Sequence, residues 1–261
     1  MPLSRRRRAR LLRGAQYAVL AAAVLVLALV ADWGTLRHAF FDVAVAKALF
    51  PEIITTALVN TVLYTLLGFG FGLGLGLVLA LMRLSQVPPY RWLAVTYIEF
   101  FRGVPALLVF IALGFGVPLA FEVALDMNIT VMLSLGLVGA AYMAETIRAG
   151  IQAVPKGQTE AARSLGMSPG RAMRSIVIPQ AFRIVLPPLT NELILLTKDS
   201  SLVYLLGLSL GQFELANFGR DALNEHKSLT PILVAGLLYL VITLPLGQLV
   251  RRLEARTAKA R

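Results

Sequence analysis

An all-α integral membrane protein is the fold class this sequence predicts, and three observations predict it. The 261 residues are 57% hydrophobic and only 15% charged, with a mean hydropathy of +0.75, whereas a soluble domain carries about a quarter charged residues. The apolar residues are gathered into long runs near the ~17–25 residues that a lipid-crossing helix needs. The basic residues alternate in density from one polar segment to the next, as they do when a chain is threaded back and forth across a membrane. About six spans follow, five forming a core behind one N-terminal helix.

The first segment opens on the basic cluster RRRRARLLRG ahead of an apolar run over 15–31. It lacks a good small-x-small cleavage site near Leu29 and Ala31, which favours an uncleaved first span held by its arginines over a signal peptide. A mixed segment, 32–51, reads as an outer loop with a short amphipathic piece. The second span, 53–82, contains LLGFGFGLGLGLVLAL. Its glycines alternate with period two, but a run of this length in lipid reads as a helix, because an isolated strand cannot satisfy its backbone there. On a helix Gly68, Gly72 and Gly76 line one face and allow close packing.

A basic turn around Pro88 and Pro89 leads to a third span, 92–117. It carries Glu99 and Arg102 three residues apart, hence on one face, and Gly103 and Pro105 loosen it just beyond. Charges at such depth are costly and face a bundle interior or a polar cavity. An outer loop over 118–128 precedes the fourth span, 130–150, which ends in Glu145 and Arg148. A polar, basic stretch over 160–179, EAARSLGMSPGRAMRSIVIP, then stands between apolar runs. Glu160, Ala161, Ala162 and Arg163 form a helix, and Gly166 ends it as a left-handed C′ residue. Ser168 and Pro169 start a second helix as N-cap and N1, and Pro179 stops it. The fifth span, 183–207, is interrupted by Pro187 and Pro188 and carries Asn191, Glu192, Lys198 and Asp199. An amphipathic outer segment, 208–230, leads to the sixth span, 231–250, and a basic tail, 251–261. Three units follow: 1–52 with the first span and outer loop, 53–250 as the transmembrane domain, and 251–261 as the tail.

Nineteen of the 25 lysines and arginines fall on the inner segments: six from Arg5 to Arg13, two at Arg83 and Arg91, six from Arg148 to Arg183 and five from Arg251. Four lie outside, at Arg37, Lys47, Arg220 and Lys227, and Arg102 and Lys198 are intramembrane. This places both termini and the 160–179 hairpin in the cytoplasm. It also accounts for the net charge of +11 without nucleic acid. The chain has no cysteine, which removes disulfides, zinc–thiolate sites and thiol catalysis. Its two histidines, His38 and His226, fall in segments predicted to be loops, so neither a catalytic set nor a metal site is expected. No phosphate-binding GxxxxGK[ST] loop appears.

The hairpin resembles the EAA loop of the membrane subunits of ATP-binding-cassette importers. The family pattern is E-A-A, three residues, G, nine residues, I, one residue, L-P. Here Glu160, Ala161, Ala162, Gly166, Ile176 and Pro179 match it at the same spacing, with Ile178 in place of the usual leucine. The flanks AYMAETIRAGIQAVPKGQTEAA and PQAFRIVLPPLTNELILLTKDSSL, with YIEFFRGVP upstream, resemble the polar amino-acid branch, and the likeness runs from about Thr61 to the C-terminus. The resemblance implies a type I importer permease in the cell inner membrane, with its coupling hairpin at 152–180. Its implied partners are a cytoplasmic ATP-binding subunit, a second permease subunit and an extracytoplasmic solute-binding protein. ATP would be used by the partner subunit, and no cofactor is expected on this chain.

An amino acid substrate needs a cation for its carboxylate and an acceptor for its ammonium. Arg102 is the candidate for the first role, and Glu99, Asn191 and Glu192 are candidates for the second. The competing reading makes Glu99 with Arg102, and Lys198 with Asp199, structural pairs that neutralise one another. Asp199, with Ser200 and Ser201, would then cap a helix at a break. A secondary transporter or channel with no ATPase partner is the alternative function. A membrane enzyme would rest on carboxylates or on Lys198 with Ser200 or Ser201, and neighbours in sequence point away from each other on a helix.

Overall fold

The computed structural model describes residues 5–123 and 125–259, and side chains from residue 11 to 256. The side chains of the first five arginines, and Arg261, fall outside that set. All regular structure among the described residues is helical. In chain order the α-helices are α1 (Arg5–Val30), α2 (Trp33–Phe40), α3 (Val43–Ala48), α4 (Val59–Leu84), α5 (Pro88–Gly103), α6 (Ala106–Ile111), α7 (Val117–Phe121), α8 (Met127–Gln152), α9 (Lys156–Ser164), α10 (Pro169–Ala172), α11 (Ile178–Asp199), α12 (Leu215–His226) and α13 (Thr230–Lys259). Wider π-turns precede α4 at Ile53–Leu58, join α6 to α7 at Ala112–Gly116 and join α10 to α11 at Met173–Val177.

Among the described residues four helices are long and apolar enough to cross a membrane: Leu11–Val30, Ile53–Leu84, Met127–Gln152 and Thr230–Arg256. A fifth crossing is available if the pair Pro88–Gly103 and Ala106–Phe121 counts as one. The loosening expected at Gly103 and Pro105 is a full break, at which the two halves of the third span meet at 103°. Pro105 has no N–H to continue the helix and forces Val104 into extended backbone, φ −94° and ψ 132°. The expected fifth span is also revised. Its helix, α11, is there and runs unbroken through Pro187 and Pro188; Arg183, Asn191, Glu192, Lys198 and Asp199 make it more polar than the four apolar helices.

The core forms where α4 and α8 cross. Lipid offers no hydrophobic force to bring helices together, so close van der Waals contact has to do it, and glycine makes that contact. A Cβ on Gly72 would stand 3.1 Å from the Gly136 carbonyl oxygen, and one on Gly76 3.0 Å from the Ala140 carbonyl oxygen. Gly70 and Gly74, on the far face, have nothing within 4 Å. The helical reading of the alternating glycines therefore holds. Around this seam Tyr64, Phe110, Leu135, Met143, Leu189 and Leu196 are buried together. Buried hydroxyls are satisfied locally: Thr61, Thr65 and Ser134 donate to the carbonyls four residues back.

At the other end, α12 packs on α13. Glu214 is fully buried and caps α12, accepting from the amides of Ala216 and Asn217 and from the Tyr239 hydroxyl at 2.7 Å. Burial pushes its carboxyl up, and these three donors pull it back down. Asn60 and Tyr64 of α4 hold the segment before it, donating to the carbonyls of Gly211 and Gln212. None of the apolar window of α1 is buried against the rest of the chain, and little of that of α13.

Candidate functional site

The break between α5 and α6 opens into a cavity of about 450 Å³. Non-helical backbone at membrane depth is tolerated where it lines a cavity, and Arg102, Gly103, Val104, Pro105 and Ala106 form one wall here. Val138, Gly139 and Tyr142 of α8 form the second wall, and Glu192, Leu195, Leu196 and Asp199 of α11 the third. The absent side chain at Gly139 makes room for Leu196, whose methyls would sit 3.4 Å from a Cβ there. The Arg102 guanidinium lies 5.7 Å from the centre of the Tyr142 ring, within range of a cation–π contact.

Of the four predicted pathway residues, the fold brings Arg102 and Glu192 to this cavity. Glu99 and Asn191 are exposed and do not line it. Asp199, read in the sequence as a helix cap, lines the cavity instead. It makes no side-chain capping bond to the 3₁₀ turn Ser200–Leu206 that follows it. The ion pairs among the described residues are His38–Asp42, Arg83–Glu145 and Arg148–Glu145, so neither Glu99 with Arg102 nor Lys198 with Asp199 makes one. Tyr142 went unnoticed in the sequence because nothing in its own helix signals a partner on α5. Its spacing, three residues before Glu145, was the available clue.

The hairpin follows the C-terminal end of α8, about three turns beyond Tyr142. Here α9 ends in a full Schellman arrangement: the Met167 amide donates to the Ala162 carbonyl at 3.1 Å and the Gly166 amide to the Arg163 carbonyl at 3.0 Å. Gly166 is left-handed, φ +81°. Ser168 accepts from the Arg171 amide and Pro169 opens α10. The expected stop at Pro179 does not occur. The π-turn Met173–Val177 widens the helix immediately before it, which relieves the clash a proline makes with the carbonyl four residues back, and α11 carries on. The second arm of the hairpin is thus the end of α11's own column. Ala162 is 5% exposed and Ala172 fully buried, whereas Glu160, Ala161 and Gly166 lie open and Ile176 is half-buried. Leu165 stands 84% exposed at the turn. Val154, Val177 and Ala181 seat the hairpin against α8 and α11. Among the described residues no group of His, Cys, Asp and Glu could hold a metal ion.

The family model described as "binding-protein-dependent transport system inner membrane component" matches residues 72–259. The arginine transport system permease protein ArtQ of Bacillus subtilis is 37% identical over 177 residues, 68% of this chain and 80% of its own. The glutamate/aspartate import permease protein GltK of Escherichia coli O6:H1 is 37% identical over 190 residues, 69% and 82% of the two chains. Among solved structures, a crystal structure of an amino acid ABC transporter with histidines superposes with a TM-score of 0.75 at 34% identity, covering 82% of this chain and 98% of that one. With a family match over most of its length and relatives that it spans nearly in full, the chain belongs to the inner membrane components of binding-protein-dependent transport systems, the permease subunits of ABC importers.

Proposed function

We propose that this chain carries polar amino acids through an ATP-driven importer, and that the cavity at the α5–α6 break is where they pass. The observation that carries the reading is the cavity's charge pattern: one guanidinium, Arg102, faces two carboxylates, Glu192 and Asp199, across about 450 Å³. A zwitterion needs this pattern, with its carboxylate on a planar fork and its ammonium on an acceptor. Relatives named for arginine and for glutamate and aspartate support the class. Glu99 and Asn191, on the same two helices but outside the cavity, would meet the substrate on its route in or out.

The remaining assignments complete the machine. Glu160, Ala161, Ala162, Gly166, Ile176 and Pro179 form the docking element for a cytoplasmic ATP-binding subunit, with exposed Leu165 at its tip. A second permease subunit completes the pathway, and a solute-binding protein delivers substrate from outside. Both termini and the hairpin face the cytoplasm, as the basic residues direct. ATP is used by the partner, and this chain holds no cofactor of its own.

The test is uptake into vesicles that contain this chain, its ATP-binding subunit and its binding protein. Labelled polar amino acids should enter only when ATP is supplied on the side of the hairpin. Uptake that proceeds without ATP or without the ATP-binding subunit would make the chain a secondary transporter or channel.

A further inference from the structure

The cavity wall on α8, at Val138, Gly139 and Tyr142, lies in the middle of that helix, and a polar stripe runs from it to the hairpin end. Tyr142, Glu145 and Arg148 recur every three residues, and Gln152 follows four later, so all four share a face. Tyr142 lies under the Arg102 guanidinium in the cavity wall. Glu145 binds Arg83 on the last turn of α4 and, at 2.8 Å, Arg148 on its own helix. Arg148 also donates to Gln152 in the last turn of α8, and only Ala153, Val154 and Pro155 separate that turn from α9.

Position and charge set Glu145 apart. It is a single carboxylate that serves two guanidinium groups, Arg83 and Arg148. All three side chains of the cluster are about a fifth to a quarter exposed, at the inner mouth of the bundle, where solvent screens them little. The glycine seam already fixes α4 against α8 as far as Gly76. Arg83 lies seven residues, about two turns, beyond it. At those two turns the ion pair adds a charged tie to the apolar packing of Leu79 and Ala80 with Ala144 and Ile147, while α5 is joined to α8 separately by the Tyr97 hydroxyl, which donates to the Leu137 carbonyl at 2.9 Å.

We infer that Glu145 is a positioning residue that clamps the inner ends of α4 and α8 into one body through Arg83, so that a displacement of the hairpin reaches the Arg102 wall of the cavity. The inference rests on the transport reading above and adds the part that carries force. It requires the cluster's composition, one carboxylate between two guanidiniums, rather than the location of each charge.

That requirement gives the test. In vesicles with the ATP-binding subunit and binding protein, ATP hydrolysed per amino acid imported is measured for the wild type, Glu145→Gln, Arg83→Glu, Glu145→Arg and the combined Arg83→Glu/Glu145→Arg chain. This ratio is independent of how much complex assembles, so a merely structural role would not move it. The ratio should rise at least about tenfold in each single variant, the lower end of what losing one hydrogen-bonded charged partner costs. It should fall back toward the wild-type value in the combined chain, which restores one carboxylate and two guanidiniums. An unchanged ratio in Glu145→Gln, or a combined chain no better than the singles, overturns the clamp. A wild type that imports nothing in the presence of ATP overturns the transport reading instead, so the two failures are distinguishable.

Discussion

Arg102 links two otherwise separate demands, a charge that substrate can reach and a helix that can end beside it. The guanidinium follows directly on a helical turn and directly precedes Gly103, where α5 stops. Arg102→Ala removes the proposed carboxylate fork while leaving the break, which depends on Pro105, intact. Losing a charged hydrogen-bonding partner costs about 2 kcal/mol, or about thirtyfold in affinity. The apparent KM for uptake should therefore rise by roughly that factor, while the ATP-binding subunit copurifies as before. Uptake kinetics unchanged from the wild type would remove Arg102 from the pathway. At this scale the sequence was most legible where a residue type has a single conformational use. Gly166 was readable as a left-handed cap and Ser168–Pro169 as a helix start, because local backbone chemistry decides both. Asp199 and Tyr142 were not readable, since their surroundings come from helices 50 or more residues away in the case of Asp199, and from α5 in the case of Tyr142.

Elements were legible in existence and less so in shape. The second, fourth and last spans appear as long apolar helices where the runs predicted them. The elements whose shape was least legible are those that serve the cavity and the hairpin. The third span bends by 103°, and the hairpin's second arm passes through Pro179 by way of a π-turn. In both, proline marked a disturbance correctly. Whether the helix breaks or widens depends on what its freed backbone can face, which is a tertiary matter. The glycine seam of α4 gives a prediction at this level. Gly76→Leu must push backbone atoms of Ala140 and Ala144 away, whereas Gly74→Leu enters open space. The first should destabilise the subunit by about 1–3 kcal/mol, the usual cost of overpacking, and the second by less than about 0.5 kcal/mol, as for a surface change. Thermal unfolding of the detergent-solubilised protein would register the difference, and equal shifts in the two variants would contradict the seam.

On the proposed reading the molecule works as a lever, with the cavity against the middle of α8 and the hairpin after that helix's C-terminal end. Its orientation in the membrane rests on charge: nineteen of 25 basic residues lie on the segments assigned to the cytoplasm. Reporter fusions at Lys47, Asp126 and Asn224 should read outside, and fusions at Pro88 and Lys156 inside. A cytoplasmic signal at Asp126 would invert the arrangement. The unburied face of α1 and its position ahead of the family match at residue 72 leave the remaining helices in the same orientation with or without it.

The central claim is that the hairpin couples a partner's ATP hydrolysis to movement of the cavity walls, and Gly166 is where that claim is most exposed. Its left-handed backbone costs a non-glycine residue roughly 1–2 kcal/mol, yet a Cβ there would touch nothing within 4 Å. Gly166→Asp therefore alters the turn without disturbing the packed bundle. The decisive measurement is ATP hydrolysis and amino-acid uptake by this variant in reconstituted vesicles, with and without loaded binding protein. The account predicts a subunit that inserts normally, imports at background level, and either releases the ATP-binding subunit or hydrolyses ATP without responding to the binding protein. Glu160→Ala, which removes a charge and keeps the turn, should be milder. Full stimulation together with full uptake in Gly166→Asp would reduce the hairpin to an ordinary loop and contradict the account.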